Sequence, residues 1–193
     1  MTARLTDQFP PRRGRTHEVQ GPGAIGFALA LAGRLGGVVL WVMQGWQGRQ
    51  LNPVGAAEYL DPQRLLIART RDEAETLAVA EEALRAGAVT LVVMELTQPL
   101  GLTPGRRLQL AAETGRSTGL CLMPEGVGSN AAETRWYTAP VFDAADSTLM
   151  RWEITKNKSG TLAAWDVRWD AETHRVIVVS EAGERPGVAG AAG

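Results

Sequence analysis

Cysteine and histidine are scarce in this chain of 193 residues, which has one cysteine, Cys121, and two histidines, His17 and His174. A single cysteine excludes an internal disulfide framework and fits a reducing compartment, so a cytoplasmic location is expected. Cys121 lies in the apolar run T-G-L-C-L-M, which predicts a buried structural thiol rather than a nucleophile. The two histidines are far apart in sequence and lack a companion set of metal ligands, so no metal site is predicted.

Long apolar runs and an excess of one charge are also missing. No apolar run reaches about 18 residues and no signal-type segment opens the chain, so no membrane association is predicted. The formal net charge of −1 argues against a protein that coats nucleic acid by charge, so weak or no direct nucleic-acid binding is expected. With 45% hydrophobic and 21% charged residues, the composition indicates one globular domain with a substantial core.

A glycine-rich turn separates the first short strand from the first helix. Its Gly21, Gly23 and Gly26 let backbone N–H groups turn inward where a side chain would clash. The first and last of these glycines have the spacing of a phosphate loop, G-x-x-x-x-G-K-[ST], in which the Lys holds the β and γ phosphates and the Ser or Thr holds magnesium. Phe27 and Ala28 stand at those two positions. The scaffold for a nucleotide is retained, but the two side chains that hold it are absent, so no cofactor is expected.

The same turn also matches G-x-G-x-x-G, the fingerprint of dinucleotide-binding proteins. That motif requires an Asp or Glu about 20 residues further on, at the end of the second strand. The second strand is predicted over Val38–Met43 and is followed by Gln44, Gly45 and Trp46, none of them acidic. A purely structural strand–turn–helix without a ligand is the simpler interpretation of this loop and stays open.

Strands and helices alternate up to about residue 123, which predicts an α/β core with a mostly parallel sheet. The apolar runs Val38–Met43 and Val89–Met94 are typical of strands covered on both faces. Beyond residue 123, four segments alternate apolar and polar residues and predict antiparallel strands that extend one edge of the sheet. These segments are Thr134–Pro140, Leu149–Lys156, Ala164–Asp170 and His174–Val179.

Local sequence signals predict where three of the helices begin. Asn52 precedes a proline and Asp72 lies three residues before a glutamate, which are patterns of helix N-caps. Thr103 precedes Pro104 and predicts a third start of the same kind.

The ends of the chain differ in composition from its interior. Residues 1–16 are polar and contain a basic cluster of Arg12, Arg13 and Arg15, which predicts a flexible N-terminal arm. Residues 17–180 are predicted to form the folded domain. The Gly-, Ala- and Pro-rich residues 181–193 predict a disordered tail.

Three stretches together resemble the core of the RecA recombinase family. Residues 21–28 (G-P-G-A-I-G-F-A) stand where RecA-type proteins have G-P-E-S-S-G-K-T. Residues 82–96 (E-A-L-R-A-G-A-V-T-L-V-V-M-E-L) are similar to the helix and strand that lead to the magnesium-coordinating aspartate, and Glu95 holds the matching position of a degenerate Walker B motif. Residues 154–160 (I-T-K-N-K-S-G) match the lysine-asparagine-lysine signature of a late RecA strand. The resemblance covers residues 17–180 and implies a RecA-like central sheet flanked by helices.

The departures from the RecA pattern concern the catalytic groups. RecA proteins carry a catalytic glutamate just after the second strand, where this chain has Met43-Gln44-Gly45-Trp46. Together with Phe27 and Ala28, three of the four groups for ATP hydrolysis are missing. The resemblance therefore implies a degenerate phosphate loop, no catalytic residues and no enzymatic activity.

Four further runs are similar to members of the ImuA family, degenerate RecA homologues of damage-inducible mutagenesis. They are L-A-L-A-G-R-L (29–35), L-N-P-V-G (51–55), L-G-L-T-P-G-R-R-L-Q-L-A-A-E-T-G (100–115) and A-A-E-T-R-W (131–136). This resemblance implies a non-catalytic adaptor in SOS-induced translesion DNA synthesis, with RecA, ImuB and an error-prone DnaE-type polymerase as partners. The RecA-like, nucleotide-free cell-division inhibitor SulA is the alternative, with the tubulin-like division protein as its partner.

The resemblance also implies a role for Lys156, Asn157 and Lys158. Residues two apart in a strand point to the same side, so the two lysines are expected to project together, with Asn157 opposite. The matching RecA lysines reach the nucleotide that a neighbouring protomer holds. This chain is accordingly expected to dock on the ATP-bearing end of a RecA filament through these residues. The alternative is that both are solvated edge-strand lysines, which discourage aggregation between sheets.

Overall fold

The computed structural model describes residues 3–48, 50–126, 128–144, 146 and 148–182. These residues form nine strands, which are, in chain order, β1 (Thr16–Gln20), β2 (Val39–Gln44), β3 (Leu65–Thr70), β4 (Leu91–Glu95), β5 (Thr118–Leu122), β6 (Thr134–Pro140), β7 (Met150–Asn157), β8 (Ala164–Asp170) and β9 (Arg175–Ala182). All nine belong to one sheet, in the order β3-β2-β4-β5-β1-β6-β7-β8-β9.

The sheet changes from parallel to antiparallel along its width. The pairings from β3 through β2, β4, β5 and β1 to β6 are all parallel. The pairings from β6 through β7 and β8 to β9 are antiparallel. The predicted α/β fold, with a mostly parallel sheet and antiparallel strands at its C-terminal edge, is therefore confirmed.

Helices cover both faces of the parallel part of the sheet. They are α1 (Ala24–Leu35), α2 (Pro53–Ala57), α3 (Glu73–Ala86) and α4 (Leu102–Gly115). Consecutive strand residues enter opposite layers: Trp41 packs in the cluster that contains α1, whereas Val42 packs in the cluster that contains α3 and α4. Leu120 and Cys121 divide in the same way, which explains why these strands are continuously apolar in sequence.

Two of the three predicted helix starts are confirmed. The Asn52 side chain accepts a hydrogen bond from the Val54 N–H at 3.0 Å, and Asp72 accepts one from the Glu75 N–H at 2.8 Å. The third prediction was wrong by two residues, because Gly101 rather than Thr103 is the N-cap of α4. Proline fits within the first turn of a helix, where its missing N–H has no intrahelical acceptor.

The N-terminal segment, residues 3–15, packs into the core instead of forming the predicted arm. The Leu5 and Phe9 side chains are buried in the cluster that contains α1. The Trp165 indole N–H donates a hydrogen bond to the Ala3 carbonyl at 3.1 Å. Two buried apolar side chains thus anchor an otherwise polar segment, and one of them, Phe9, meets the rings of Trp136 and Trp152 from distant strands.

The described C-terminal end is ordered further than the sequence suggests. Strand β9 extends to Ala182, so the predicted tail boundary at 181 was wrong for its first two residues. Pairing with β8 and a 2.9 Å hydrogen bond from the Ser180 hydroxyl to Asp166 account for the added length. The rest of the predicted tail, residues 183–193, lies outside the described residues. Within the described ranges, no helix is both long and apolar enough to cross a membrane.

Candidate functional site

The glycine-rich turn connects β1 to α1 and lies against β6. Gly21 has a φ of +92°, a conformation that favours glycine, and a Cβ there would lie 2.3 Å from the Thr138 carbonyl oxygen. The Gly23 N–H donates to that same carbonyl at 3.0 Å. At Gly26, by contrast, a Cβ would meet nothing within 4 Å. Close packing on β6 therefore explains Gly21 and Gly23 without a bound phosphate.

Phe27 and Ala28 both point into the core and are fully buried. The Phe27 ring belongs to an aromatic cluster with Phe9, Trp136 and Trp152. Its centroid lies 5.5 Å from Phe9, 5.2 Å from Trp136 and 4.7 Å from Trp152. These are distances at which aromatic rings attract one another. The position that carries an ammonium in a phosphate loop is here an anchor of the hydrophobic core.

Glu95 ends β4 and is buried beside Trp41. The Trp41 indole N–H donates to the Glu95 carboxylate at 2.8 Å, so this carboxylate satisfies a buried donor. Across the described part of the chain, no group of three or more His, Cys, Asp and Glu side chains is placed to hold a metal ion. The role that the geometry gives Glu95 is therefore a structural hydrogen bond to Trp41.

Burial strongly raises the pKa of Cys121, which keeps that buried thiol protonated.

Lys156 in β7 and Lys158, which directly follows β7, project together, as expected, towards residues 129–132, which we call the carbonyl segment. The Lys156 ammonium donates to the carbonyls of Ser129, Asn130 and Ala132 at 3.0, 3.1 and 2.8 Å. The Lys158 ammonium donates to the Ala131 carbonyl at 2.8 Å.

Asn157 lies on the opposite side and donates to the Gln8 side chain at 3.2 Å. The predicted division of these three side chains between the two faces is therefore observed. The sequence alone gave no signal for the acceptors, because they lie 24 to 27 residues earlier in the chain.

The two lysines are the only ones in the chain. Lysine presents three donors at one point, which matches the three carbonyl oxygens around Lys156. Arginine spreads its donors over a planar fork and does not fit such a cage. Burial is the main cause that lowers the pKa of Lys156, and the nearby Glu18 carboxylate opposes the shift. Lys158 is exposed and has one carbonyl acceptor, so it is the more accessible of the two.

An ion pair between the buried Glu18 and the partly buried Arg135 lies next to the carbonyl segment. The Glu18 carboxylate in β1 is fully buried and accepts a hydrogen bond from the Arg135 Nε at 2.8 Å. Its other oxygen accepts from the Ser129 backbone N–H at 2.7 Å. Both charges are therefore compensated, and the segment that faces the lysines is fixed at its start.

His17 is a second buried polar group that the sequence did not single out. One ring nitrogen, Nε2, lies 2.8 Å from the Arg12 carbonyl and must donate to it. The other, Nδ1, therefore accepts from the Thr134 hydroxyl at 2.8 Å, and that hydroxyl accepts from the Trp136 indole at 2.9 Å. Burial is the main cause that lowers the pKa of His17 to about 4, so the ring is neutral at pH 7.

Comparison with known proteins gives two curated relatives. The sequence is 33% identical over 169 residues to Protein ImuA of Caulobacter vibrioides, in strain NA1000 / CB15N and equally in strain ATCC 19089 / CIP 103742 / CB 15. The match covers 81% of this chain and 66% of each relative. The chain thus spans about two thirds of the length of the curated relatives it matches. No family model matches the sequence.

Proposed function

We propose a function from the premise that this chain belongs to the ImuA family. The chain is a non-catalytic, RecA-like adaptor in the cytoplasm that takes part in damage-inducible mutagenesis. It binds RecA, ImuB or both and links them to an error-prone DnaE-type polymerase during SOS-induced translesion synthesis. Its own contribution is a docking surface, and it requires neither a cofactor nor a hydrolytic site.

The burial of Phe27 in the aromatic cluster carries this proposal. A phosphate loop needs an ammonium and a hydroxyl beside the triphosphate, and this chain buries an aromatic ring and a methyl group there. The Gly23 N–H is already bonded to the Thr138 carbonyl. A bound triphosphate would have to compete with both arrangements, so ATP hydrolysis is not expected of this chain.

The partner contact is assigned to Lys158, together with its neighbours Lys156 and Asn157. A phosphate on a neighbouring protomer is a better acceptor for an ammonium than a neutral carbonyl, because the bond is charge-assisted on both sides. To bind a phosphate, the exposed Lys158 has to give up one hydrogen bond to a carbonyl. Lys156 would have to give up three. Lys158 is therefore the first contact with the end of a RecA filament, and Lys156 holds the carbonyl segment in place.

Co-sedimentation with RecA filaments tests this assignment. Filaments are formed on single-stranded DNA with a non-hydrolysable ATP analogue, and the bound fraction of each variant is measured. Lys158→Ala is expected to reduce binding without changing thermal stability. Arg69→Ala removes one exposed charge from β3 and serves as the matched control.

Equal binding by Lys158→Ala and wild type would remove the lysine contact from the proposal. Parallel pull-downs with ImuB and with the tubulin-like division protein decide the wider role. Capture of the division protein alone would replace the mutagenesis adaptor by a SulA-like inhibitor.

A further inference from the structure

A basic cleft lies at the amino ends of two neighbouring parallel strands. Arg12, Arg13 and Arg15 immediately precede β1, and Arg116 lies two residues before β5. Because β1 and β5 pair in parallel, their amino ends lie side by side at one end of the strands. The glycine-rich turn follows the carboxyl end of β1 and therefore lies at the other end of that strand.

The cleft has a volume of about 420 Å³ and is lined by these four arginines, Gly14 and Glu113. This volume falls within the range of ~300–1,000 Å³ that is usual for ligand sites. Four guanidinium groups against one carboxylate give the lining a formal charge of +3, whereas the whole chain carries −1. Such a local concentration of charge in a concave site selects anions.

Hydrogen bonds hold the walls of the cleft in place. Arg15 forms an ion pair with Glu113 at 3.1 Å, and Arg13 donates to the Leu35 carbonyl at 3.2 Å. The backbone of Arg12 is fixed through its carbonyl, which accepts from the buried ring of His17. Arg116 is the C-cap that follows α4 and has a left-handed conformation, with φ at 54°. The Arg12 and Arg116 side chains are exposed, and their charges are accessible to a ligand.

We propose that this cleft binds an acidic peptide segment of a partner protein. Guanidinium groups form paired hydrogen bonds with carboxylates, and the contacts of Arg13 and Arg15 fix two of the four before a ligand binds. The site is compact and lies in a chain with 21 acidic residues, which disfavours the long phosphate track that nucleic acid requires. In the described part of the chain its lining contains no aromatic side chain on which bases stack.

Fluorescence anisotropy with a labelled peptide of alternating Asp and Glu tests the proposal. The test variant combines Arg12→Gln with Arg116→Asn, since Asn tolerates the left-handed backbone at that position. The control variant is Arg69→Gln. Thermal unfolding of all variants confirms that folding is unchanged. The matched Asn/Gln peptide and single-stranded and duplex oligonucleotides are titrated in parallel.

The acidic peptide is expected to bind wild type and the Arg69→Gln control equally at about 0.15 M salt, and more weakly as salt rises. Its affinity should fall about tenfold or more in the Arg12→Gln, Arg116→Asn variant, which corresponds to about 1.4 kcal/mol. Unchanged peptide affinity in that variant, or no binding at about 1 mM peptide, would overturn the proposal. Tighter binding of either oligonucleotide that the same variant abolishes would replace the peptide by nucleic acid. The cleft does not include Lys158, so this outcome is independent of the filament experiment.

Discussion

Replacing Phe27 by alanine tests whether the position that matches the phosphate-loop lysine is part of the core. The ring is fully buried and contacts three aromatic neighbours, so the substitution removes buried apolar area and leaves a cavity. Phe→Ala substitutions at such sites cost about 3–5 kcal/mol. Near the middle of that range, the midpoint of thermal unfolding is expected to fall by roughly 8–16 °C for a domain of this size. Urea unfolding of Phe27→Ala gives the free energy directly.

Leu110→Ala is the matched control, because Leu110 is an apolar residue that lies 63% exposed on α4. It is expected to change the free energy of unfolding by less than about 0.5 kcal/mol. Phe27→Lys combined with Ala28→Thr introduces the Lys and Thr of the phosphate-loop motif and should destabilise the fold without creating a nucleotide site. A loss below about 1 kcal/mol for Phe27→Ala would refute the burial argument, as would MgATP binding by the double variant.

Three further predictions concern polar groups packed inside the fold, the half-buried Lys156 and the fully buried His17 and Glu18. Lys156→Met is expected to lower the free energy of unfolding by about 2–3 kcal/mol and Lys156→Arg by about 1–2 kcal/mol, because neither side chain supplies three donors at one point. Equal urea midpoints for Lys156→Arg and wild type would contradict the proposed fit of lysine to the three carbonyls. His17 titrates near pH 6.5 when unfolded and near 4 when folded, so the unfolded state binds more protons between these values and stability falls as the pH drops through them. The expected loss in the free energy of unfolding from pH 7.5 to 5 is about 2 kcal/mol. The His17→Gln variant should lack this contribution. Glu18→Gln leaves the Arg135 charge without its partner and is expected to cost about 3 kcal/mol in urea unfolding, whereas a neutral result would show that water compensates the guanidinium.

The parts of the fold that local sequence determines could be predicted. Apolar runs such as Val89–Met94 indicate strands covered on both faces, and the short polar signals at Asn52 and Asp72 indicate helix starts because each N-cap contacts residues two or three positions away. The prediction at Thr103 was wrong because a proline fits the third position of a helix as well as the first, and Pro104 is the third residue of α4.

Contacts between distant parts of the chain could not be predicted in this way. The polar composition of residues 1–16 conceals Phe9, whose burial depends on rings from α1, β6 and β7. The alternation in β7 predicts that Lys156 and Lys158 share a face. It does not show that backbone carbonyls from the loop before β6 meet them there. The cleft at Arg12 and Arg116 likewise requires the parallel pairing of β1 with β5, which no local pattern specifies.

Calorimetric titration of the chain with MgATP tests the central claim most directly, because that claim is that a buried aromatic ring has replaced the phosphate-holding ammonium. No heat of binding is expected at nucleotide concentrations up to about 1 mM, and no phosphate release. A dissociation constant below about 100 μM together with turnover would contradict the account and restore the chain to the ATP-hydrolysing proteins.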